Sequence, residues 1–587
     1  MHKLSKRMYI NLVVMIVSFL QLGVVAEAKP SAAYGADEVS QPNILWLVVE
    51  DMSPIIAPYG DHTIATPTIS QLAKEGVTYT NVYSTSGVCA PSRAALATGM
   101  YPSAFGANHM RTHSDTEITG LPAYEAIPAA DARMLSQYLQ QHGYYTANNL
   151  KTDYQFKAPK SAWNESGPYA HWRKRPADKP FFAVFNFTTT HESGLFEPYG
   201  FRKIESRHYF SDDVAKIARL PQHPSAKSEP ANTAMHVPKN TVFDIPPYLP
   251  DTPLVRRDMW KMYNNLAETD RQIAAIIQQL KDDDLYDQTV ILFYSDHGGP
   301  LPRQKRLIYD SGLKVPLIIR FPNAQQGGTS DQRLISFVDF APTTLALVGA
   351  PIPGHMHGQN FIGKRNGSVA SMPREYIHAA ADRFDGFTDA IRAVKDKRFK
   401  YIRNYRPEQG YYLPVSYREK IPTMQELLRL RDDGALDEFQ RQWFRSRKPK
   451  EELFDTLTDP HELHNLAENE EYKQPLLRLR REMDRWLTAI KDTPNLPERA
   501  LIDKLWQGAD VQPKTAPPEV SFLKGRAIIS SQTPGASISY RILGEAARES
   551  AWLMYQTPIK AQSGMKIEVV AHRIGFLESD IVTVSVP

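Results

Sequence analysis

The sequence predicts an α/β protein with a mostly parallel central sheet and helices on both faces, then a smaller α+β subdomain and a small appended β-sandwich module. Three observations predict it. Uninterrupted apolar runs of strand length alternate with helical patterns through roughly the first 385 residues, as expected of strands buried on both faces. From about Ala390 the runs shorten and charged helical segments take over. Beyond a proline-containing linker at 513–518, strand patterns return without intervening helices.

The first such run is 43–49. The stretch that begins at Cys89 reads as a helix, with Pro91 suited to the first turn and Gly99 to the end. Residues 131–142 predict a helix capped by Asp131, with Met134, Leu135, Tyr138 and Leu139 on one face and Gly143 as the stop. Further strands are predicted over 144–148, 181–187, 289–294 and 315–321. A long helix over 256–282 carries apolar residues at helical spacing, interrupted by Asp270. Residues 195–255, with many prolines and little periodicity, read as an irregular surface insertion beside a cleft. Later, a strand is predicted at 399–402, helices between 423 and 490, and module strands at 527–530, 537–542 and 567–571. The expected organisation is 1–28 signal peptide, 41–385 catalytic α/β domain, 386–510 α+β subdomain and 516–587 β-sandwich module.

A chain of 587 residues with 42% apolar residues exceeds a single core. Its formal charge of +4 has no polybasic block, which argues against nucleic-acid binding. Lys3, Lys6 and Arg7 precede an apolar run, and Ala26, Glu27 and Ala28 supply a small-x-small cleavage pattern, so the chain reads as secreted or periplasmic. Removing that segment takes away three basic residues and one acidic residue, leaving +2 and no stable membrane insertion. An uncleaved anchor is the alternative, since the run approaches spanning length. Cys89 is the single cysteine, so no internal disulfide forms and the thiol serves either packing or chemistry.

Ligands of open parallel sheets collect at the carboxyl ends of strands. Four candidate strands end in reactive residues: Glu50 and Asp51 after the first, Lys151 and Asp153 after the second, His191 after the third, and Asp296 and His297 after the fourth. Each also has a plain reading as a cap or a turn. Glu50, Asp51 and Asp296 offer oxygen ligands to a hard divalent cation, calcium or magnesium. His297, a softer donor, either ligates the ion or bonds to the substrate.

Cys89, Pro91, Ser92, Arg93, Leu96, Thr98 and Gly99 resemble the C-x-P-S-R-x-x-L-x-T-G signature of the type I sulfatases in the alkaline phosphatase superfamily, and every defining position matches. The resemblance spans roughly 41–495. It includes Pro42, Asn43 and Ile44 before Glu50 and Asp51, and Lys305, Tyr309, Asp310 and Gly312 in a K-x-x-x-Y-[DE]-x-G segment. It also includes a later structural motif through Glu452, Asp455, Asp459 and Asn465. It implies that a maturation enzyme oxidises Cys89 to Cα-formylglycine, whose hydrate attacks the sulfate sulfur at a cation held by Glu50, Asp51, modified Cys89, Asp296 and His297. It further implies that Arg93 holds the diol, that Lys151 and Lys305 bind sulfate, and that His191 protonates the leaving oxygen. Three positions depart from the pattern: Glu50 for Asp, His297 for Asn, and Leu150 with Asp153 where the family places glycine and histidine. Asp153 is thereby the candidate base.

The expected substrate is a sulfated carbohydrate, such as an algal galactan, an ulvan or a glycosaminoglycan. His109, Arg111, Trp163, His171 and Arg383 are candidate substrate contacts, through aromatic stacking and pairing with anionic groups. Two other readings stay open: a phosphonate or phosphate ester hydrolase of the same superfamily, and a catalytically silent glycan-binding relative.

Overall fold

The computed structural model describes residues 41–114, 116–197, 236–362, 372–544 and 551–587. The predicted signal peptide and most of the 195–255 insertion lie outside these residues. Among the described residues no helix is long and apolar enough to cross a membrane.

The chain opens with β1 (Asn43–Val49), α1 (Pro67–Glu75), β2 (Val77–Tyr83) and α2 (Cys89–Thr98). There follow α3 (Leu135–Gln141), β3 (Tyr145–Asn149), β4 (Glu165–Ser166), β5 (Phe181–Phe187), α4 (Pro253–Asp282) and β6 (Thr289–Ser295). β7 (Lys314–Arg320), β8 (Thr329–Ser336) and α5 (Phe340–Leu347) complete the layer. The eight strands form one sheet in the order β4-β3-β5-β1-β6-β7-β2-β8. β7 alone runs against its neighbours, β6 and β2; the other pairings are parallel. β1 shows why the apolar runs are uninterrupted. Ile44, Trp46 and Val48 pack into the core under α2, α3 and α5, while Leu45, Leu47 and Val49 pack against residues of α1 and α4 on the other face.

Two helix predictions shift. The helix expected from Asp131 begins at Leu135, because Met134 is extended and its N–H is taken by the Gln137 side chain at 3.1 Å. Arg133 is drawn away to Ser537 of the C-terminal module, at 2.6 Å. The long helix starts earlier, at Pro253, with the Thr252 hydroxyl accepting from Val255 N–H at 3.5 Å. Asp270, which breaks its stripe, accepts from Thr68 N–H at 3.2 Å and Ile69 N–H at 2.8 Å and so caps α1.

An antiparallel sheet of β9 (Ile377–Ala381), β10 (Ile391–Lys395), β11 (Phe399–Asn404) and β12 (Glu451–Asp455) follows, in the order β12-β11-β10-β9. The helix Lys473–Ile490 lays Leu476, Leu479, Met483 and Trp486 on one of its faces; the other shares a core with Tyr83, Val88 and Cys89. The C-terminal module consists of a three-stranded and a four-stranded antiparallel sheet that enclose Ala527, Ile529, Ile567 and Val569. It is docked on the main body: Ile574 packs with Met134, Tyr154 and Phe156, and Ser539 donates to Ser161 Oγ at 2.7 Å.

Candidate active site

The carboxyl ends of β1, β3, β5 and β6 converge on the start of α2. Cys89 is the first residue of that helix, 3% exposed, and Gly99 ends the helix in the left-handed conformation that glycine accepts without strain. Serine at position 92 donates from its hydroxyl to the Asp296 carbonyl, tying α2 to the end of β6. The loop before α2 closes on the Lys305 segment, with Arg306 N–H donating to the Gly87 carbonyl at 2.7 Å. A Cβ on Gly87 would lie 2.3 Å from Leu307 O, so only glycine permits this approach.

Acidic groups line one side. His297 Nε2 lies 3.0 Å from Asp51 Oδ1 and 3.7 Å from Asp296 Oδ1. Asp51, Asp296 and His297 present ligand atoms within 4.8 Å of one another, all buried. Asp51 Oδ1 and His297 Nε2 lack a hydrogen bond of normal geometry, so this oxygen-rich set fits a hard divalent cation. Burial works to raise Asp51, but Lys305, His191 and His297 outweigh it and hold the carboxylate well below its usual range. Burial likewise opposes charge on His297, yet Asp296, Asp51 and contact with Cys89 push it up to about 10. That proton supplies the positive charge the carboxylates demand; a divalent cation would displace it and leave neutral imidazole as a ligand.

Cations line the other side. Arg93 donates from Nε to Asp296 at 3.1 Å and from a terminal nitrogen to Asn186 Oδ1 at 2.6 Å, with Glu50 at 3.5 Å. Lys151 pairs with Glu50 and lies 3.9 Å from Asp153. Lys305 bridges Asp51 at 2.6 Å and Glu192 at 3.2 Å. Arg93 and Lys305 are buried and the Lys151 side chain is 18% exposed; desolvation alone would favour the neutral forms, but carboxylate partners, and for Lys151 first the Cys89 sulfur and then Glu50, outweigh it and raise each above its ordinary value. All three, with Arg306, lie within electrostatic reach of Cys89. His191 Nδ1 accepts from Ser193 N–H at 3.3 Å and lies 2.9 Å from the Ser193 hydroxyl. The Tyr417 ring lies 6.3 Å from the His191 ring. Asp51, Leu150 and Asp153 all have positive φ, at 50°, 85° and 55°, so backbone strain is concentrated at these strand ends.

Glu50, Asp51, Cys89, Arg93, Lys151, Asp153, His191, Asp296, His297 and Lys305 therefore share one site. The five expected substrate contacts do not gather with them in the same way. Arg111, half exposed, pairs with Asp385 at 3.2 Å, and Asp385 acts electrostatically on Arg306. His109 and Arg383 are buried behind this rim, with Arg383 held by Glu498 at 2.7 Å and His109 Nδ1 accepting from Arg383 N–H at 3.2 Å. Trp163 stacks on Phe182, with ring centroids 5.7 Å apart, in the core beneath the site. His171 packs on Trp172 and bonds Gln279 at 2.9 Å, against the far end of α4.

Sequence reasoning passed over Glu192, Arg306 and Asn186. Glu192 pairs with Arg306 at 2.7 and 2.8 Å, holds Lys305, and donates its N–H to Asp51 Oδ2 at 2.7 Å. Asn186 buttresses Arg93. Their signal was available: Asn186 is the one polar residue in the otherwise apolar β5 run, and Glu192 follows His191 directly.

A buried cysteine at a helix start, three cations and a carboxylate–imidazole cluster fit chemistry on an anionic ester, and comparison with known proteins specifies the family. The Sulfatase family matches residues 42–167 and 167–350, and the family described as N-sulphoglucosamine sulphohydrolase, C-terminal, matches 303–420. The chain belongs to the sulfatase family and is a sulfuric ester hydrolase. It is 60% identical over 548 residues to an ulvan-active sulfatase of Formosa agariphila, covering 93% of this chain and 91% of that one. It is 22% identical to the human N-sulphoglucosamine sulphohydrolase, covering 76% and 89% of the two chains. A structure solved in complex with its substrate D-glucosamine-2-N,6-O-disulfate shares the fold, with TM-score 0.52 and 18% identity over 78% of this chain and 99% of that one.

Proposed function

We propose that this protein is an exported sulfatase that removes sulfate from ulvan oligosaccharides or polysaccharide, using a formylglycine made from Cys89 by a maturation enzyme and a bound calcium or magnesium ion. The 60% identity to an ulvan-active sulfatase across nearly the whole chain carries the substrate reading. The placement of Cys89 between the Asp51, Asp296 and His297 cluster and the three cations supports the chemistry.

When present, the cation supplies a Lewis acid and the hydrated formylglycine a nucleophilic hydroxyl. Glu50, Asp51, Asp296 and His297 hold the cation, and Arg93, fixed by Asp296 and Asn186, orients the residue 89 side chain. Lys151 and Lys305 face the sulfate oxygens and stabilise the charge that spreads over them. His191 donates from Nε2 to the leaving sugar oxygen, and Asp153, beside Lys151, is the base of the second half-reaction. Arg111 on the rim pairs with a carboxylate or second sulfate of the sugar, held in place through Asp385, with His109 and Arg383 supporting the loops behind it.

The test is sulfate release, read by ion chromatography, from ulvan, carrageenan and heparan oligosaccharides and from matched aryl sulfate and phosphate esters, with protein co-expressed with a maturation enzyme. Release from ulvan is expected. A large phosphate preference, or binding of ulvan without sulfate release, would replace this reading with the hydrolase or the silent-binder alternative.

A further inference from the structure

Behind the site, between α2, α3 and the sheet face that carries Trp46, lies a cavity whose volume open to the centre of a water molecule is about 40 Å³. Arg93, Lys151, Asn148 and Asn186 form part of its wall, so it reaches the back of the cationic half of the site. Trp46 and Ser136 also line it. Trp46 is 4% exposed and Ser136 1%, and neither the indole Nε1 nor the Ser136 hydroxyl has a hydrogen-bond partner among the described residues. Two donors left unmade in a dry interior cost about 1–3 kcal/mol each. A water molecule needs roughly 10–15 Å³ of such volume and two to four polar partners. The cavity has room for about three or four waters, and in its mostly apolar wall Trp46, Ser136, Asn148 and Asn186 offer polar partners.

We propose that this cavity is an internal hydration site whose waters bond to Trp46 Nε1 and Ser136 Oγ, extend to Arg93 and Lys151, and supply the water that each turnover consumes. Sulfate ester hydrolysis takes up one water per ester: the bond from sulfur to the leaving oxygen breaks, and the water contributes an oxygen to the sulfate and a proton to the alcohol. The role as supply rests on the sulfatase activity and on the place of Arg93 and Lys151 in the site; the hydration site itself rests on the cavity and its two buried donors.

A high-resolution crystal structure of the full chain is expected to show ordered waters within hydrogen-bond distance of Trp46 Nε1 and Ser136 Oγ. Crystals pressurised with xenon are expected to show none in the cavity, since xenon enters dry apolar cavities. A xenon site there without water would overturn the hydration site. Ser136→Val fills the space and removes a donor; Ser136→Ala removes the donor and keeps the space. The Val variant is expected to lose kcat several-fold with KM falling in parallel, so that kcat/KM is unchanged, and to show a burst of alcohol before slow turnover, while the Ala variant keeps near-normal kcat. Should the Val variant fold poorly, loss of the Ser136-bound water in Ser136→Ala crystals, with the Trp46-bound water retained, is the expected result, and an unchanged water pattern would overturn the assignment. Unchanged kcat without a burst in a folded Val variant would overturn the supply role. Failure of wild-type protein to release sulfate from any ester would overturn that role together with the sulfatase reading, whereas the xenon result would overturn the hydration site alone.

Discussion

Lys305 Nζ lies 2.6 Å from Asp51 Oδ2, so a cation of the protein shares a carboxylate with the cluster that fits a metal ion. Glu192 holds the same ammonium from the other side at 3.2 Å and is itself clamped by Arg306. In the proposed mechanism, sulfate recognition by Lys305 and retention of the cation would be coupled through Asp51.

From this follows an ordering of two variants. Lys305→Ala is expected to reduce kcat/KM about 10²–10³-fold, of the size seen when one preorganised charge-stabilising group is removed. Glu192→Gln keeps the shape but loosens Lys305 and leaves Arg306 without its counter-charge, so a smaller loss, about 10-fold, is expected. Steady-state kinetics on an aryl sulfate check the order; equal losses would show that Glu192 does more than hold Lys305.

Cys89→Ala is expected to abolish turnover with little change in the thermal unfolding midpoint. The side chain lost is small, and the core around it is shared with Val88 and Tyr83. Sulfate release and a melting curve on the same preparation decide it, and near-normal activity refutes residue 89 as nucleophile.

Chelation is expected to lower both activity and thermal stability, since a ligand that binds only the folded chain stabilises it by about 2.7 kcal/mol at a hundred times its Kd. Removing the cation also leaves Asp51 and Glu50 at the end of β1 close to Asp296 at the end of β6. Calcium and magnesium add-back, followed by calorimetry, reads the effect; an unchanged melting point after exhaustive chelation would contradict a bound ion.

Leu150→Gly is expected to be tolerated or mildly stabilising. Leu150 has φ 85°, a conformation that costs a β-carbon-bearing residue on the order of 1–2 kcal/mol, while added glycine freedom in the unfolded chain costs somewhat less. Chemical denaturation measures the sign, and a loss above about 2 kcal/mol would mean that Leu150 packing outweighs the strain.

His357 makes stability depend on pH. Burial, together with His355 and Arg374, lowers it from 6.5 to about 4, and its Nδ1 accepts from Tyr101 N–H at 2.9 Å, which requires the unprotonated nitrogen. The unfolded chain takes up this proton near 6.5 and the folded one resists to about 4. The contribution is therefore complete above 6.5 and is lost as pH falls toward 4, about 3 kcal/mol at most. His357→Asn keeps an acceptor and removes the titration, so its denaturation midpoint is expected to fall less between those pH values.

Much of the α/β layer was legible because burial on both faces leaves a direct imprint. β1, β5 and β6 are fully buried, and each reads as an apolar run, interrupted within β5 only by Asn186. The reversal of β7 was not legible, since a buried strand has the same composition in either direction. Nor was the late start of α3, which depends on Arg133 reaching a serine about four hundred residues away in the module.

The sequence by itself determined the class of chemistry: a cysteine at a helix start within a long signature, and reactive residues immediately after apolar runs, are local features that survive without coordinates. Tertiary structure decided which polar groups serve that chemistry. Glu192, Arg306 and Asn186 join the site through ion pairs and hydrogen bonds, the one from Glu192 to Asp51 spanning 141 positions, while Trp163 and His171, equally suggestive as residue types, turn into the core and toward α4. Residue type sets what a side chain can do; only the folded backbone sets which neighbours overcome its cost of burial, and so which charges remain poised around Cys89.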